Sequence, residues 1–386
     1  MAKIVKLGSL VEYYDEINKD GEFSDIDDLQ GINSKKYFQE CKSNKNDINL
    51  KRYKICRNKT FAYNKATSRN GEKISIAYRT GGDCLISPSY YTFKIKDRSV
   101  ILPEYLLLLF SKPSFDRYAR FNSWGSATEF LNWEDFCDME IKIVDIDEQK
   151  RIVNEYNVIN NRINILNEIN NQINNMVKII FNKEIIREYN KKEDSWESVE
   201  LKSICDIKGG KRLPAGEELQ EECTKHPYIR VRDVTNNKYV VLDNKFLFIN
   251  DDIYEKISRY IVKKDDIIIS IVGTIGLVGK VHESLDGANL TENCMKMTNI
   301  KKVPSDFIYY TLCNLVDTNE IEERIVGAVQ SKLPMYNIET IPIIIPDENT
   351  ITKMENIFDK TNECINSNIK EIILLEKMKN MILSKI

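Results

Sequence analysis

Residues 146–181 read IDEQKRIVNEYNVINNRINILNEINNQINNMVKIIF, and this stretch decides how the chain folds. Its apolar side chains recur at alternating steps of four and three residues, the spacing that keeps one face of a helix against a partner helix. We therefore predict a long helix whose coiled-coil seam consists of Ile152, Tyr156, Ile159, Ile163, Leu166, Asn170, Ile173, Val177 and Ile180.

Asn170 is the one polar residue in this seam. A seam asparagine can fix the register against a partner helix, and partial exposure of the side chain is an equally good explanation. The C-terminal segment offers the partner, because it carries a second apolar stripe made of Phe358, Ile365, Ile369, Ile372, Leu375 and Ile382. Two helices of about 35 to 40 residues each span roughly 50 to 60 Å.

The two halves of the chain resemble each other. Residues 5–10 (VKLGSL) match 199–204 (VELKSI) at an offset of 194. Further along, one offset of 202 relates Gly125, Leu131, Phe136 and Asp145 to Gly327, Leu333, Ile338 and Asp347. Each half ends in a strand-like hydrophobic run followed by a long helix, as expected of an internal repeat.

The fold class that follows is mixed α/β (α+β): two globular domains separated by two long helices in an antiparallel coiled coil, with a pseudo-twofold internal repeat. The predicted boundaries are 1–145 for the first domain, 146–190 for the central helix, 195–346 for the second domain and 347–386 for the C-terminal helix. The charged stretch Glu188 to Asp194 is the predicted linker into the second half.

The composition bounds the function. The most membrane-like stretch, 266–281, is shorter than the roughly 20 residues that a bilayer requires, and the N-terminus has no apolar run, so we expect a cytoplasmic protein without membrane contact. Nine scattered cysteines without a CxxC pair indicate reduced thiols, and two isolated histidines argue against a zinc site. The net charge of -3 does not by itself indicate nucleic-acid binding, so local basic patches are needed.

The glycine-rich stretch 267–280 imitates a phosphate-binding loop. Five residues separate Gly273 from Gly279, and Val281 follows Lys280, whereas the phosphate loop requires four residues and then Ser or Thr after the lysine. We predict instead a strand, a tight turn and a second strand over 277–282, with Lys280 exposed near the tip. The sequence also carries no adenine-methyltransferase signature, so we expect a protein that is not itself an enzyme.

Basic and aromatic residues interleave in both halves. Residues 51–59 (KRYKICRNK) hold five positive charges and no acid. In the second half, basic residues gather around Gly209-Gly210, where glycine lets the backbone approach a phosphate: Lys208, Lys211, Arg212, Arg230 and Arg232. Solvated surfaces of ordinary proteins carry similar patterns.

Several segments together resemble the target-recognition domains of type I restriction-modification specificity subunits. In the second half these are W196-x-x-V-x-L-x-x-I204, G209-G210, Y228-I-R230, D266-I-I-I-S270 and G273-T-I-G276. The first half shows K6-L-G8, G31-I-N-x-K35, Y53-K-I55, F61-A-Y-N64 and the closing D147-E-Q149-x-x-I152. Two departures are that the first half lacks the usual tryptophan and that the second has Asp347-Glu348-Asn349 in place of Glu-Gln.

The resemblance implies a DNA-specificity subunit whose two target-recognition domains each read one half of a bipartite site in double-stranded DNA, with the helices as the spacer. Its implied partners are two methylation subunits that carry S-adenosylmethionine and two restriction subunits that use ATP and Mg, with no cofactor or metal in this chain. The outer faces of the helices and Phe181 are expected to dock the methylation subunits. We assign Lys51, Arg52, Arg57, Lys211, Arg212 and Lys280 to phosphates, and Arg79, Arg230 and Arg232 to base edges.

Three alternatives stay open from the sequence. The first is the specificity subunit of a system in which methylase and nuclease are fused, which the neighbouring coding sequence would reveal. The second is a coiled-coil scaffold protein that does not bind DNA and lacks sequence-selective, salt-sensitive DNA affinity. The third is an NTPase acting through the glycine loop, in which Lys280→Ala would abolish hydrolysis.

Overall fold

The computed structural model describes residues 3–41, 48–67, 73–125, 128–189, 196–235, 237–327 and 330–386. The chain forms two compact units, Met1–Ile163 with Leu374–Ile386, and Asn164–Ile373. Residues 190–195, which include most of the predicted linker, lie outside the described residues.

The first unit contains a four-stranded antiparallel sheet and three two-stranded ones. Its elements are β1 (Lys3–Lys6), β2 (Val11–Tyr13), β3 (Gln30–Ile32), β4 (Phe38–Glu40), β5 (Lys54–Cys56), β6 (Phe61–Asn64), β7 (Ile76–Tyr78), β8 (Cys84–Ile86), β9 (Tyr90–Ile95), α1 (Pro103–Phe110), α2 (Pro113–Phe121), α3 (Trp133–Asp138) and β10 (Glu140–Ile143). The larger sheet has the order β2-β9-β6-β7, and the pairs are β1-β10, β3-β4 and β5-β8.

Aromatic side chains fill the core of the first unit. Phe61 and Phe93 stack across neighbouring strands with ring centroids 5.0 Å apart, and Phe110 from α1 meets Phe61 edge to face at 5.8 Å. The alternation of large apolar and smaller side chains along β6 and β9 directs these rings to one face, where the helices cover them.

The long helix α4 (Ile146–Phe181) continues into a π-helical turn (Asn182–Ile186) and a short α5 (Arg187–Tyr189). The elements that follow are β11 (Glu197–Glu200), β12 (Asp206–Gly209), β13 (His226–Ile229), β14 (Tyr239–Val240), β15 (Leu247–Ile249), α6 (Asp251–Ile257), β16 (Ile267–Ser270), β17 (Val278–Val281), β18 (Asn289–Leu290), β19 (Cys294–Thr298), α7 (Ser305–Asp317), α8 (Glu320–Glu323), α9 (Met335–Glu339), β20 (Pro342–Ile345) and α10 (Glu348–Lys385).

The second unit holds a mixed five-stranded sheet of order β12-β19-β16-β17-β14, a three-stranded sheet β15-β13-β18 and the pair β11-β20. Helix α7 packs on the five-stranded sheet and buries Phe307 and Tyr310. These rings contact Phe181 of α4 and Phe358 of α10, so the same core joins the sheet to both long helices.

The predicted helix pair is confirmed. Every residue of the predicted α4 seam is buried or half-buried. In the second unit, Asn368 Nδ2 donates to Asn170 Oδ1 at 2.7 Å, and nearer the end of α4 Phe181 contacts Phe358 of α10. Because Asn170 precedes Phe181 while Asn368 follows Phe358, the two helices run antiparallel there, and Asn170 has the partner that a register-fixing role requires.

The repeat predicted from the sequence is also confirmed. β1 and β11 lie at an offset of 194 and each is followed by a 3-10 turn. Their partner strands lie at an offset of 202, since Lys3 pairs with Ile143 and Glu197 pairs with Ile345. The fold class therefore stands as predicted: two mixed α/β domains, two long helices and an internal duplication.

The offset of 202 also marks two equivalent small loops. Trp124 and Phe130 exchange two backbone hydrogen bonds, and Val326 and Lys332 do the same. Gly125 and Gly327 both have positive φ (149° and 98°), and a Cβ there would lie 2.0 and 2.5 Å from a carbonyl oxygen three residues on. The shared spacing of these glycines thus has a backbone cause.

The two halves anchor their long helices differently. In the first unit, the fully buried Gln149 donates to the carbonyl oxygens of Val100 and Val144 (2.9 and 2.8 Å) and accepts from the Leu102 amide (2.9 Å). In the second unit the offset of 202 that relates Asp145 to Asp347 puts the half-buried Ile351 at the corresponding position, and its side chain has no hydrogen-bonding group. There Trp196 Nε1 donates to Asp347 Oδ2 at 2.9 Å. The two departures from the family pattern are therefore complementary: the half without the tryptophan has the glutamine.

Candidate nucleic-acid interface

An open cleft of about 590 Å³ in the second unit brings together several predicted site residues. Its walls come from the loop after β12, the turn after β13 and the turn between β18 and β19. The lining residues are Arg212, Leu213, Pro214, Ala215, Glu217, Leu219, Tyr228, Arg230, Val231, Arg232, Thr291, Glu292 and Asn293.

The turn after β13 is held rigid by Arg230 and Asp233. The Arg230 guanidinium donates to both Asp233 oxygens from Nε and Nη2, each at 2.7 Å, and the Arg230 amide donates to Asp233 Oδ2 at 2.9 Å. Arg230 Nη2 also donates to the Lys245 carbonyl oxygen at 2.9 Å. Arg230, predicted to contact base edges, is thus mostly buried: Asp233 binds its Nε and Nη2, and its Nη1 is buried without a hydrogen-bond partner.

Arg232 lies within the same turn and is exposed. Asn293 reaches the cleft from the opposite turn, where its carbonyl oxygen accepts from the Ile271 amide at 2.8 Å. Within the described ranges, neither the Arg232 guanidinium nor the Asn293 side-chain amide has a hydrogen-bond or ion-pair partner. Both residues line the cleft, and both side chains keep their full hydrogen-bonding capacity.

The loop after β12 supplies the rim of the cleft. Arg212 is 80% exposed and pairs with Glu292 at 2.8 Å, while the exposed Lys211 lies over the Tyr260 ring at 5.7 Å. Gly210 is required by the fold itself, because a Cβ there would lie 2.1 Å from the Thr291 carbonyl oxygen.

In the first unit, Lys51 and Arg52 lie on an exposed 3-10 turn, Leu50–Arg52. Asn49 caps this turn by accepting from the Lys51 amide at 3.2 Å. In the part of the chain that the structure describes, no carboxylate neutralises either side chain. These two cations are therefore available to an external anion.

Arg57 and Arg79 are engaged within the first unit. Arg57 contacts Glu16, Glu22 (2.5 Å) and Asp83 (3.0 Å), and these carboxylates, Glu22 foremost, raise the pKa of its guanidinium. Arg79 donates to the Gly82 carbonyl oxygen (2.5 Å) and to Gln30 Oε1 (2.7 Å) and lies 5.1 Å from the Phe38 ring centre. Arg57 therefore meets three acids that are distant in sequence, which the run 51–59 alone does not reveal.

The prediction of an exposed Lys280 is wrong. The predicted hairpin exists, with β16 antiparallel to β17, but β14 pairs with the other side of β17 and so encloses Lys280 within the sheet. The side chain is 5% exposed, and its ammonium lies 2.6 Å from Asp306 and 3.1 Å from Asp265. A lysine in the middle of an enclosed strand cannot lie at a loop tip.

Lys280 belongs to a buried polar network that sequence reasoning missed. Asp306, at the start of α7, is shared by Lys280 and Lys238. Lys238 Nζ also donates to Asn362 Oδ1 of α10 at 2.6 Å and to the Tyr310 hydroxyl at 3.2 Å, and that hydroxyl donates to Asn174 Oδ1 of α4 at 3.0 Å. The network therefore joins the five-stranded sheet to both long helices of this unit.

The charge state of this network follows from its geometry. Burial alone would raise the pKa of the Asp306 carboxyl, but the two ammonium groups hold it at about 2. Burial would lower the pKa of Lys280, whereas Asp306 and Asp265 raise it. The carboxylate and the Lys280 ammonium are thus both charged at neutral pH.

Phe181 does not lie on an outer face of α4. It is fully buried against Phe307, Tyr310 and Phe358, so its predicted role in docking a partner is wrong. A different set of apolar residues is exposed along α4, roughly a third of a turn from the seam: Val158, Ile165, Ile169, Met176 and Ile179.

The described ranges contain neither a membrane span nor a metal cluster. No helix there is long and apolar enough to cross a membrane. Across the same residues, no cluster of three or more His, Cys, Asp or Glu side chains is arranged to hold a metal ion. All nine cysteines lie among the described residues, and none of them forms a disulfide there.

The duplicated fold places the chain among proteins built from two α/β domains and paired long helices. The model of the type I restriction modification DNA specificity domain matches residues 18–175 and again residues 193–377. The chain therefore belongs to the family of type I restriction-modification specificity subunits.

Known relatives agree with this family. The chain is 21% identical over 309 residues to the type I restriction enzyme MjaVIII specificity subunit of Methanocaldococcus jannaschii, covering 75% of this chain and 71% of that protein. It is 24% identical over 312 residues to the MjaIX specificity subunit of the same organism, covering 74% and 68%. This chain also matches the crystal structure of a type I restriction-modification S subunit from M. genitalium, over 100% of this chain and 96% of the M. genitalium chain. The TM-score is 0.51 at 16% identity, so the two proteins share the fold.

Proposed function

We propose that this chain directs a type I restriction-modification complex to a bipartite DNA site, each of its two domains reading one half-site in double-stranded DNA. The observation that carries this proposal is the duplication: two domains with the same strand pairing and the same glycine loop, each joined to one long helix. Two copies of one reading domain suit a split target, because each can contact its own short sequence.

The long helices act as the spacer in this proposal. α4 has 36 residues and α10 has 38, so each is roughly 54 to 57 Å long at about 1.5 Å per residue. Sites on one face of DNA recur every turn, roughly 34 Å. Helices of this length are sufficient to hold two readers one turn apart.

Exposed cations contact the DNA backbone. In the first domain these cations are Lys51 and Arg52. In the second domain they are Lys211 and Arg212, and Arg212 leaves Glu292 to bind a phosphate. With a net charge of -3, binding depends on these local patches, so affinity falls steeply with salt. Replacing Lys51 or Arg52 by Ala weakens binding to all sequences alike and lowers the salt slope by about one each.

The partners are two methylation subunits, which bring S-adenosylmethionine, and two restriction subunits, which use ATP and Mg. The apolar stripe of α4 supports a docking role, because Ile165 and Ile179 are 52% and 70% exposed on a helix whose seam is already filled. In this scheme the chain supplies specificity and its partners supply the chemistry.

The experiment that tests this function is to co-express the chain with the methylation subunit encoded beside it and map N6-methyladenine across the host genome by single-molecule sequencing. We expect a split motif that appears only when this chain is present. An assembled, S-adenosylmethionine-bound complex that adds no methylation would overturn the proposal and favour a scaffold that does not read DNA.

A further inference from the structure

We infer that Arg232 and Asn293 are the base-reading residues of the second domain, Arg232 contacting guanine and Asn293 contacting adenine in the half-site that this domain reads. The inference rests on the proposed function and adds to it the residues and the bases. It starts from the cleft of the second unit, where these two side chains have no protein partner among the described residues.

Elimination among the cations of the cleft is the first step. Arg230 donates Nε and Nη2 to Asp233, and its Nη1 is buried, so its guanidinium is not presented to the open cleft. Arg212 pairs with Glu292 at the exposed rim, where a cation meets the DNA backbone first. Arg232 is the remaining arginine of the cleft wall, and it is exposed.

Rigidity of the support is the second step. Arg232 lies in a 3-10 turn that Arg230 and Asp233 close through side-chain and backbone hydrogen bonds, and that the buried Val234 anchors to the core. Base readout needs donors held at a fixed place, since a shift of a fraction of an ångström spoils a bidentate pair. The ion pair between Arg230 and Asp233 thus fixes the position of Arg232.

Asn293 is supported in the same way from the opposite wall. The Ile271 amide donates to its carbonyl oxygen at 2.8 Å, and the following Cys294 amide donates to the Thr291 carbonyl oxygen at 3.1 Å. These bonds fix the backbone and leave the side-chain amide to the cleft. The amide carries one acceptor and two donors, which a polar ligand must satisfy.

The chemistry of the two groups selects the bases. A guanidinium donates two parallel hydrogen bonds to O6 and N7 of guanine, and a carboxamide pairs in both directions with N6 and N7 of adenine. Adenine and guanine present these edges in the major groove, so the reading turns approach the DNA from that groove. The half-site of this domain should therefore contain a guanine and an adenine.

The test compares the methylated motifs of complexes that contain the wild-type chain, Arg232→Ala, Arg232→Lys or Asn293→Ala. The control is Arg259→Ala, an exposed arginine of the same unit outside the cleft. We expect Arg232→Ala to relax one G·C position, and Asn293→Ala one A·T position, in a single half-site, each lowering discrimination roughly 5- to 150-fold. Arg232→Lys should relax the same position as Arg232→Ala, and Arg259→Ala should leave the motif intact.

A second measurement is used if the Arg232→Ala complex methylates no DNA. The affinity of that complex is measured for four duplexes that differ only at the guanine position of the wild-type motif, and is compared with the affinity of the wild-type complex. Loss of affinity confined to the guanine duplex supports the assignment, whereas equal loss on all four overturns it in favour of a phosphate contact. An unchanged motif in an active Arg232→Ala complex overturns it as well. Failure of the wild-type complex to methylate any split motif would instead refute the proposed function.

Discussion

Asn368 on α10 donates a hydrogen bond of 2.7 Å to Asn170 on α4, in the middle of an otherwise apolar seam. A paired seam asparagine specifies one register of two helices at some cost in stability, because apolar side chains at the same place would pack without desolvating an amide. The polar residue Asn170 in the apolar seam of α4 therefore selects one register of α4 against α10.

We expect Asn170→Leu to lower the melting temperature of the chain, because it leaves the Asn368 amide half-buried and without its partner, at a cost of about 1–3 kcal/mol. The double variant Asn170→Leu/Asn368→Leu should recover that loss or exceed the wild type. Thermal unfolding followed by circular dichroism measures both. Asn171→Leu, at the exposed neighbouring position, is the control and should change little. A double variant no more stable than the single one would contradict this account.

Asp306→Asn is expected to destabilise the second unit by about 3–5 kcal/mol at neutral pH, since it leaves the buried Lys238 without a carboxylate and Lys280 with Asp265 alone. The pH dependence has a definite sign. The folded-state pKa of Asp306 is about 2, below the roughly 3.9 of an unfolded chain, so its contribution is complete above about pH 4 and is lost as the pH falls towards 2.

Urea unfolding at a series of pH values tests this. The difference in unfolding free energy between the wild type and Asp306→Asn should shrink between about pH 4 and pH 2, by roughly 2 kcal/mol over the full interval. Asp359→Asn, at an exposed position of α10, is the matched control and should show no such change. A difference that is constant over this interval would show that the carboxyl has an ordinary pKa.

The sequence predicts local periodicity well and partners across the fold poorly. The seam of α4 and the duplicated strands follow from spacing alone, because burial on one face imposes it. Arg57 and Lys280 show where this fails: both have the sequence context of surface cations, but their carboxylates lie far away in the chain, and only the strand order reveals the pairing. Arg232 and Asn293 converge on one cleft for the same reason, from turns about 60 residues apart.

Gln149→Leu is expected to loosen the start of α4 from the first unit. The substitution removes three part-buried hydrogen bonds: the carbonyl oxygens of Val100 and Val144 lose their donor and the Leu102 amide loses its acceptor, so we expect a loss of about 3 kcal/mol in that unit. Hydrogen exchange of amides in the first unit measures it. Asn349→Leu is the control, because this side chain near the start of α10 is exposed and should be replaceable at almost no cost. Equal effects of the two substitutions would show that the Gln149 hydrogen bonds do not anchor α4.

Ile165→Glu combined with Ile179→Glu is expected to weaken assembly with the methylation subunit at least tenfold while leaving the chain folded. Both side chains are exposed and outside the seam, and glutamate is a good helix former. The substitutions should therefore destabilise the complex with the methylation subunit and leave the folding of the chain unchanged. Burying each isoleucine in an interface contributes about 1.5–3 kcal/mol. Size-exclusion chromatography with light scattering gives the assembly. Asn164→Glu, on another exposed face of α4, is the control and should assemble normally. Normal assembly of the double variant would exclude this stripe as the docking surface.

A four-residue insertion after Asn171, matched by four residues after Ser367 opposite it on α10, should lengthen the spacer of the recognised site. Four residues add about 6 Å to a helix, which corresponds to at most two base pairs at about 3.4 Å each. The insertion also rotates the helix by about 40°, so the seam shifts towards a neighbouring face and the paired insertion is needed to keep the two stripes opposed. The motif methylated in the genome then reads out the result directly: the two half-sites should be unchanged, and only the number of bases between them should grow. A folded, active complex with the original spacer would mean that something other than helix length sets the distance between the readers.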